Sequence, residues 1–181
     1  MILTHGANSI GNGVDFVIIG DEKYKYKKIG GLLWTTENLR NATAHAIDNE
    51  EQKIENGKLW QAYYLDEIDN LLVDGWRIPT YNDYLLLKSI SEENRYFVSK
   101  EYGGENITGF NVPLCGYINQ DGNYVNLNER CCYWTNDLYD STSMKTILFK
   151  DTQFVNFEDW SFGTRTYLRD TALSVRLCKD V

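Results

Sequence analysis

The side chains of this sequence that could do chemistry are few. The cysteines are Cys115, Cys131, Cys132 and Cys178, and no C-x-x-C pair occurs among them. Tetrahedral zinc sites usually draw on close-spaced ligand pairs, and only His5 and His45 could supplement these thiols, so no metal is expected. On a strand, Cys131-Cys132 reads as one core thiol and one outward thiol, because successive side chains point to opposite faces. A disulfide from Cys115 to one of that pair is compatible with the sequence but not required. A chain of 181 residues is long enough to bury a core without staples. Catalysis needs a base, a nucleophile or a metal. His5 falls in a Gly/Asn/Ser-containing arm and His45 in a polar excursion, neither beside a Cys or Ser motif. Glu50-Glu51 and Glu92-Glu93 read as solvated surface. Gly11-x-Gly13 and Gly103-Gly104 do not open a helix with Lys-Ser/Thr, as a phosphate loop would. No catalytic residue and no cofactor is therefore assigned, and the expectation is a protein that is not an enzyme.

The stronger signal is for contact. Asn136, Asp137, Tyr139, Asp159, Trp160, Arg165 and Tyr167 form the candidate ligand-binding set. Trp, Tyr and Arg dominate contact energetics, and aromatic faces also stack on sugar rings. Trp160 and Phe162 have a competing reading, as side chains folded inward beneath a long loop. Tyr139 and Arg165 are flanked by polar residues and are the better surface candidates. Calcium needs roughly six to eight converging oxygens. Asn136, Asp137 and Asp140 alone do not establish such a site, and the alternative is that they cap a turn. Trp34, Trp60, Trp76 and Trp134 sit in strand-like runs and are expected in the core.

These residues must be held by a framework, and composition bounds it. The chain is 43% hydrophobic and 14% aromatic, with thirteen Tyr and five Trp, a composition suited to half-buried strands and contact surfaces. The net charge of −8 opposes nucleic-acid binding, where affinity comes mostly from cationic side chains. No apolar run reaches the length of about eighteen residues that a membrane span requires. Met1–His5 lacks a basic stretch followed by an apolar one, so no signal peptide is expected. On that reading the product stays in the cytoplasm or leaves by a route such as cell lysis.

The best-defined local element is Gly75-Trp76-Arg77-Ile78-Pro79-Thr80. Ile78 precedes a proline and is pushed towards extended backbone. Thr80 offers an N-cap hydroxyl, and Asp83 follows at capping-box spacing. A helix of about ten residues is predicted from Tyr81, with Tyr84, Leu87 and Ile90 at helical spacing and Leu86 in contact with Ile90. Trp76 and Ile78 are expected to pack over Tyr84 and Leu87. Val14–Ile19, Lys23–Lys27, Ile29–Trp34, Cys131–Trp134, Thr146–Lys150 and Ala172–Cys178 read as strands or strand-like runs, and Asp121-Gly122 as a hairpin turn. Segments 135–145 and 151–171 read as loops. Strands with long loops and one or two helices indicate an α+β fold.

Four stretches in order also carry a family resemblance. They are Ile29-Gly30-x-x-x-Trp34-x-x-Glu37-Asn38-Leu39, then Gly75–Thr80, then Gly109-Phe110, Pro113, Gly116-Tyr117, Asp121-Gly122 and Tyr133-Trp134, and last Ser174-Val175-Arg176-Leu177. The set resembles the Fibrobacter succinogenes major paralogous domain (FISUMP) family over about residues 29–179. The resemblance implies a C-type-lectin-like fold of twisted antiparallel sheets over residues 29–181. Residues 1–28 would be an N-terminal arm with strands and a possible assembly contact. It further implies a virion protein of a phage, such as a tail or head fibre, a tip or a decoration, binding a bacterial surface glycan or protein. Other virion proteins would be met through the arm, and a homo-oligomer, possible as a trimer, is expected by analogy. The alternative is a bacterial surface adhesin or lipoprotein domain. An oxidase-like enzyme is the more distant reading, and no motif around Cys131-Cys132 matches that chemistry. The Glu-Pro-Asn and Gln-Pro-Asp calcium triplets of sugar-binding lectins are missing. Trp134-Thr135-Asn136-Asp137 differs from their Trp-Asn-Asp motif by an inserted residue.

Overall fold

In a computed structural model, residues 15–40, 72–91, 93–138, 143–150, 167–168 and 171–181 are described. Strands β1 (Phe16–Ile19), β2 (Glu22–Ile29) and β3 (Leu32–Thr35) form consecutive antiparallel pairs, and β9 (Cys178–Asp180) completes a sheet of order β1-β2-β3-β9. The expected arm therefore contributes residues 16–28 to a sheet that also contains β3 and β9, while residues 1–14 lie outside the described residues. The run Ile29–Trp34 is not one strand. Gly30 and Gly31 both take positive φ, +60° and +90°, and Ile29 pairs directly with Leu32. Two consecutive positive-φ residues make the tight turn whose twist matches a hairpin, and glycine alone adopts it without a Cβ clash.

A second sheet joins β6 (Arg130–Leu138), β7 (Ser143–Lys150) and β8 (Tyr167–Leu168). The expected loop 135–145 is thus largely strand. β6 continues to Leu138 with a register shift after Trp134, and β7 begins at Ser143. Strands β4 (Tyr117–Ile118) and β5 (Tyr124–Val125) flank Asp121-Gly122 as the turn signal predicted. The backbone bridges Gly116–Cys131, Ile118–Ala172 and Tyr133–Ser174 tie this hairpin, β6 and the last extended segment together.

Helix α1 (Tyr81–Lys88) starts where the sequence placed it. Thr80 Oγ1 accepts from Asp83 N–H at 3.1 Å, and the Asp83 carboxylate accepts from Thr80 N–H at 2.7 Å. That carboxylate also takes the Arg77 guanidinium at 2.5 Å. Burial opposes charge on Asp83, but Arg77 and Thr80 outweigh it and hold the carboxyl below its usual range. A depressed carboxylate stabilises the fold at pH above its unfolded value of about 4 and loses that contribution as pH falls through the folded value. Asp83→Ala should therefore cost about 2 kcal/mol at neutral pH and flatten the acid limb of the stability curve. Urea unfolding from pH 7 down to pH 2 checks both expectations. The helix ends at Lys88, short of the expected length, so Ile90 lies beyond it; Leu86 is 54% and Ile90 44% exposed.

Among the described residues, two large apolar clusters and a small one around Ile118 and Ala172 form the interior. One large cluster gathers Trp34, Tyr84, Leu87, Phe97, Phe110, Cys131, Tyr133 and Phe149. The other gathers Ile19, Tyr24, Trp76, Ile78, Cys132, Trp134, Val175 and Leu177. Trp76 and Ile78 thus belong to a different cluster from Tyr84 and Leu87, contrary to the expectation that they pack together. Strand β6 separates the two clusters and sends alternate side chains into each. Neither thiol of Cys131-Cys132 points outward as expected, because both faces of this strand are covered. Trp34, Trp76 and Trp134 are core residues as expected, and Trp60 lies outside the described residues. The described residues form an α+β fold, mostly antiparallel sheet with one α-helix.

Candidate functional site

Of the contact residues singled out in the sequence, Asn136 and Asp137 lie near the end of β6, on a strand and not on a loop. Asn136 is exposed, while its N–H donates to Pro79 O at 2.9 Å. Asp137 is half-buried, and its carboxylate accepts a short hydrogen bond from the N–H of Tyr81. A carboxylate there satisfies an orphan donor at the positive end of α1. Asp137 therefore fastens the sheet to the helix, and Asn136 Nδ2 and Oδ1 are carried on an exposed side chain beside it. Thr135 Oγ1 donates to Lys145 O at 2.8 Å, and the Lys145 ammonium lies 5.3 Å from the centre of the Tyr81 ring. Leu138, the last residue of β6, is 61% exposed. It pairs with Met144, and Met144 pairs with Tyr167 on β8. The structure therefore brings the backbones of 136–138 and Tyr167 to the same end of one sheet. Tyr139, Asp159, Trp160 and Arg165 lie outside the described residues, as does the side chain of Tyr167.

A second constellation lies inside, and sequence reasoning did not single it out. Arg176 is fully buried. Its Nε donates to Asn38 Oδ1 at 2.8 Å, and its terminal nitrogens donate to Thr35 O and Asn111 O, each at 2.8 Å. The guanidinium also lies 4.9 Å from the Phe110 ring centre, a cation–π distance. Asn38 Oδ1 accepts a further bond from Tyr133 OH at 2.8 Å, and Asn38 Nδ2 donates to Cys115 Sγ at 3.5 Å. The Glu-Asn-Leu, Tyr-Trp and Ser-Val-Arg-Leu stretches thus converge on one buried polar network. The available signal was a lone arginine within the otherwise uncharged run Ala172–Cys178. A buried cation must find acceptors.

All four cysteines are free and buried. Cys115 Sγ lies 3.4 Å from Cys131 Sγ and 3.1 Å from Ser174 Oγ. The hydrogen bond with Cys131 and burial both push the Cys115 thiol up. Burial opposes charge on Cys131 as well. There, hydrogen bonds with Cys115, Tyr133 and Ser174 and the nearby Arg176 charge prevail and hold the thiol below its ordinary value. Burial pushes the Cys178 thiol up to about 12. A reactive cysteine combines thiolate character with access to solvent, and these thiols lack the access. No cluster of three or more metal-ligating side chains occurs among the described residues. None of their helices is long and apolar enough to cross a membrane.

No curated protein and no solved structure matches the chain. The family model described as the Fibrobacter succinogenes major domain matches residues 28–179, which span all four sequence stretches and both buried clusters apart from β1 and most of β2. With the greater part of its length covered, the chain belongs to the Fibrobacter succinogenes major domain family.

Proposed function

We propose that the chain is a non-enzymatic recognition or structural module, carried on a phage virion as part of a fibre, a tip or a decoration. In this reading it binds a bacterial surface glycan or protein with the end of the β6–β7–β8 sheet and the segments that continue from it. The observation that carries the reading is the contrast between the two ends of β6. Its root, Cys131–Trp134, is buried on both faces, whereas Asn136 and Leu138 at its tip are exposed. A rigidly rooted tip loses little conformational freedom when it meets a partner, so contact energy is retained. The buried thiols support the non-enzymatic part, since no cysteine among them reaches solvent. A C-type-lectin-like arrangement of residues 29–181 belongs to the same proposal, supported by the antiparallel sheets and the single capped helix. So does an assembly role for residues 1–28, meeting other virion proteins or further copies of this chain, with a trimer as the working stoichiometry.

The proposal is tested on whole particles and on host cells. Tyr139→Ala and Arg165→Ala should each weaken cell binding by about tenfold or more, the loss typical of central aromatic and arginine contacts, with unfolding midpoints unchanged. Undiminished binding in both variants rejects this contact face. Deleting residues 1–13 should impair assembly more than folding; a truncated chain that assembles normally refutes the arm's role. Recovery of the chain from cell envelopes and never from purified particles would favour a bacterial surface adhesin over a virion protein.

A further inference from the structure

The thiol pair inside the core is used by nothing described so far. Cys115 stands in the extended stretch leading into β4, and Cys131 stands on β6. Their neighbours Gly116 and Arg130 join the two segments by a backbone hydrogen bond of 2.7 Å, and Gly116 bridges Cys131 in parallel fashion. The sulfurs face each other at 3.4 Å. The other two cysteines are placed differently. Cys132 points into the second cluster, across β6 from its neighbour. Cys178 has its sulfur 3.9 Å from the Asp83 carboxylate. Juxtaposed segments and facing side chains are what a disulfide requires, and of the four cysteines these two meet the requirement.

We propose that Cys115 and Cys131 are an oxidisable pair that closes to a disulfide when the chain folds in the presence of a small-molecule disulfide. The Cys131 thiolate attacks one sulfur of the oxidant, forming a mixed disulfide and releasing one small thiolate. Cys115, having given up its proton, attacks the Cys131 sulfur of that mixed disulfide and releases the second small thiolate. Two electrons pass from the protein pair to the oxidant, one disulfide is exchanged for another, and two small thiols result. The same exchange runs with the two cysteines in reversed roles, because the pair meets the oxidant while both sulfurs still reach solvent. Both sulfurs are buried in the folded protein, so the exchange occurs before the core closes or during its opening. Once formed, the bond is shielded from reductant by the same burial. It joins residues 16 apart in sequence and ties the β4–β5 hairpin to β6, restricting the unfolded chain.

The test is to refold the full chain in buffer containing reduced and oxidised glutathione, alkylate the remaining thiols and map the peptides. A Cys115–Cys131 cross-linked peptide is expected, with Cys132 and Cys178 alkylated. The oxidised protein should melt about 5 °C or more above the same protein refolded in reductant. Cys178→Ala should keep that difference and Cys115→Ala should lose it. Should Cys115→Ala fail to fold, the wild-type peptide map and the two melting points decide by themselves. Alkylation of both Cys115 and Cys131 after refolding, or a cross-link to Cys132 or Cys178 in their place, would overturn the proposal.

Discussion

Arg176→Met should lower the stability of the folded chain by about 4 kcal/mol, the largest loss expected from any single change described here. Methionine approximates the length of the arginine stem, so the cavity it leaves is modest. The cost lies in what the guanidinium leaves behind. Asn38 Oδ1 and Thr35 O each lose a donor in a buried setting and Asn111 O in a half-buried one, and an orphaned buried acceptor costs about 1–3 kcal/mol. Tyr133 still donates to Asn38, which softens one of the three. Removing a buried charge also relieves its desolvation penalty, and replacement of a buried ion pair by apolar residues can be neutral for that reason. Here the acceptors are neutral and stay in place, so the unsatisfied groups prevail over the relief. For a chain of this size each kcal/mol moves the melting temperature by about 2–4 °C, giving a drop of roughly 10 °C. Arg176→Lys should recover only part of the loss, since an ammonium lacks the planar fork that reaches three acceptors at once. Thermal and urea unfolding of both variants provides the check. A methionine variant within about 1 kcal/mol of wild type would remove Arg176 from its place as the organising polar residue.

Gly116→Ala should cost about 3 kcal/mol, for a reason that concerns backbone rather than side chains. Gly116 has φ +66°, and a Cβ built there falls inside contact distance of Val125 O, with Leu127 N at 3.1 Å and Asn126 C at 3.2 Å. Those are main-chain atoms of the returning β5 segment, and no rotamer change can move them aside. The left-handed backbone itself adds about 1 kcal/mol for a residue with a Cβ. Gly122 is the matched control. It has φ +77° with open space around a Cβ, so Gly122→Ala should cost only about 1 kcal/mol. The difference between the two unfolding free energies isolates the steric part. Equal losses would mean that the hairpin shifts freely and that Gly116 is needed for its φ alone. Gly116 also bridges Cys131, so the displacement reaches the thiol pair. The alanine variant should form less of the Cys115–Cys131 cross-link under oxidising refolding.

The sequence by itself determined the features whose causes are local. Thr80 and Asp83 form their capping box because a hydroxyl, a carboxylate and the free N–H groups of a first turn lie within three residues of one another. Asp121-Gly122 turns the chain because glycine reaches positive φ without strain, and the family stretches are likewise strings of adjacent residues. Tertiary structure decided everything that depends on what covers a face. Period-two alternation assigns Cys131 and Cys132 to opposite sides of β6, but it is silent on whether one side or both are buried; the second cluster, assembled from β1, β2 and the last segment, covers the side expected to face water. Helical spacing carried the helix on to Ile90, but α1 stops at Lys88, and Leu86 and Ile90 both stay exposed. That Asp137 also fastens the helix is a tertiary outcome, because a strand far along the chain ends beside Tyr81 N–H. Arg176 meets Thr35, Asn38 and Asn111 only after the last segment returns beside β3 and the stretch that precedes β4. Neighbour interactions are written in the order of residues, whereas burial and long-range pairing exist only once separate segments compete for the same space.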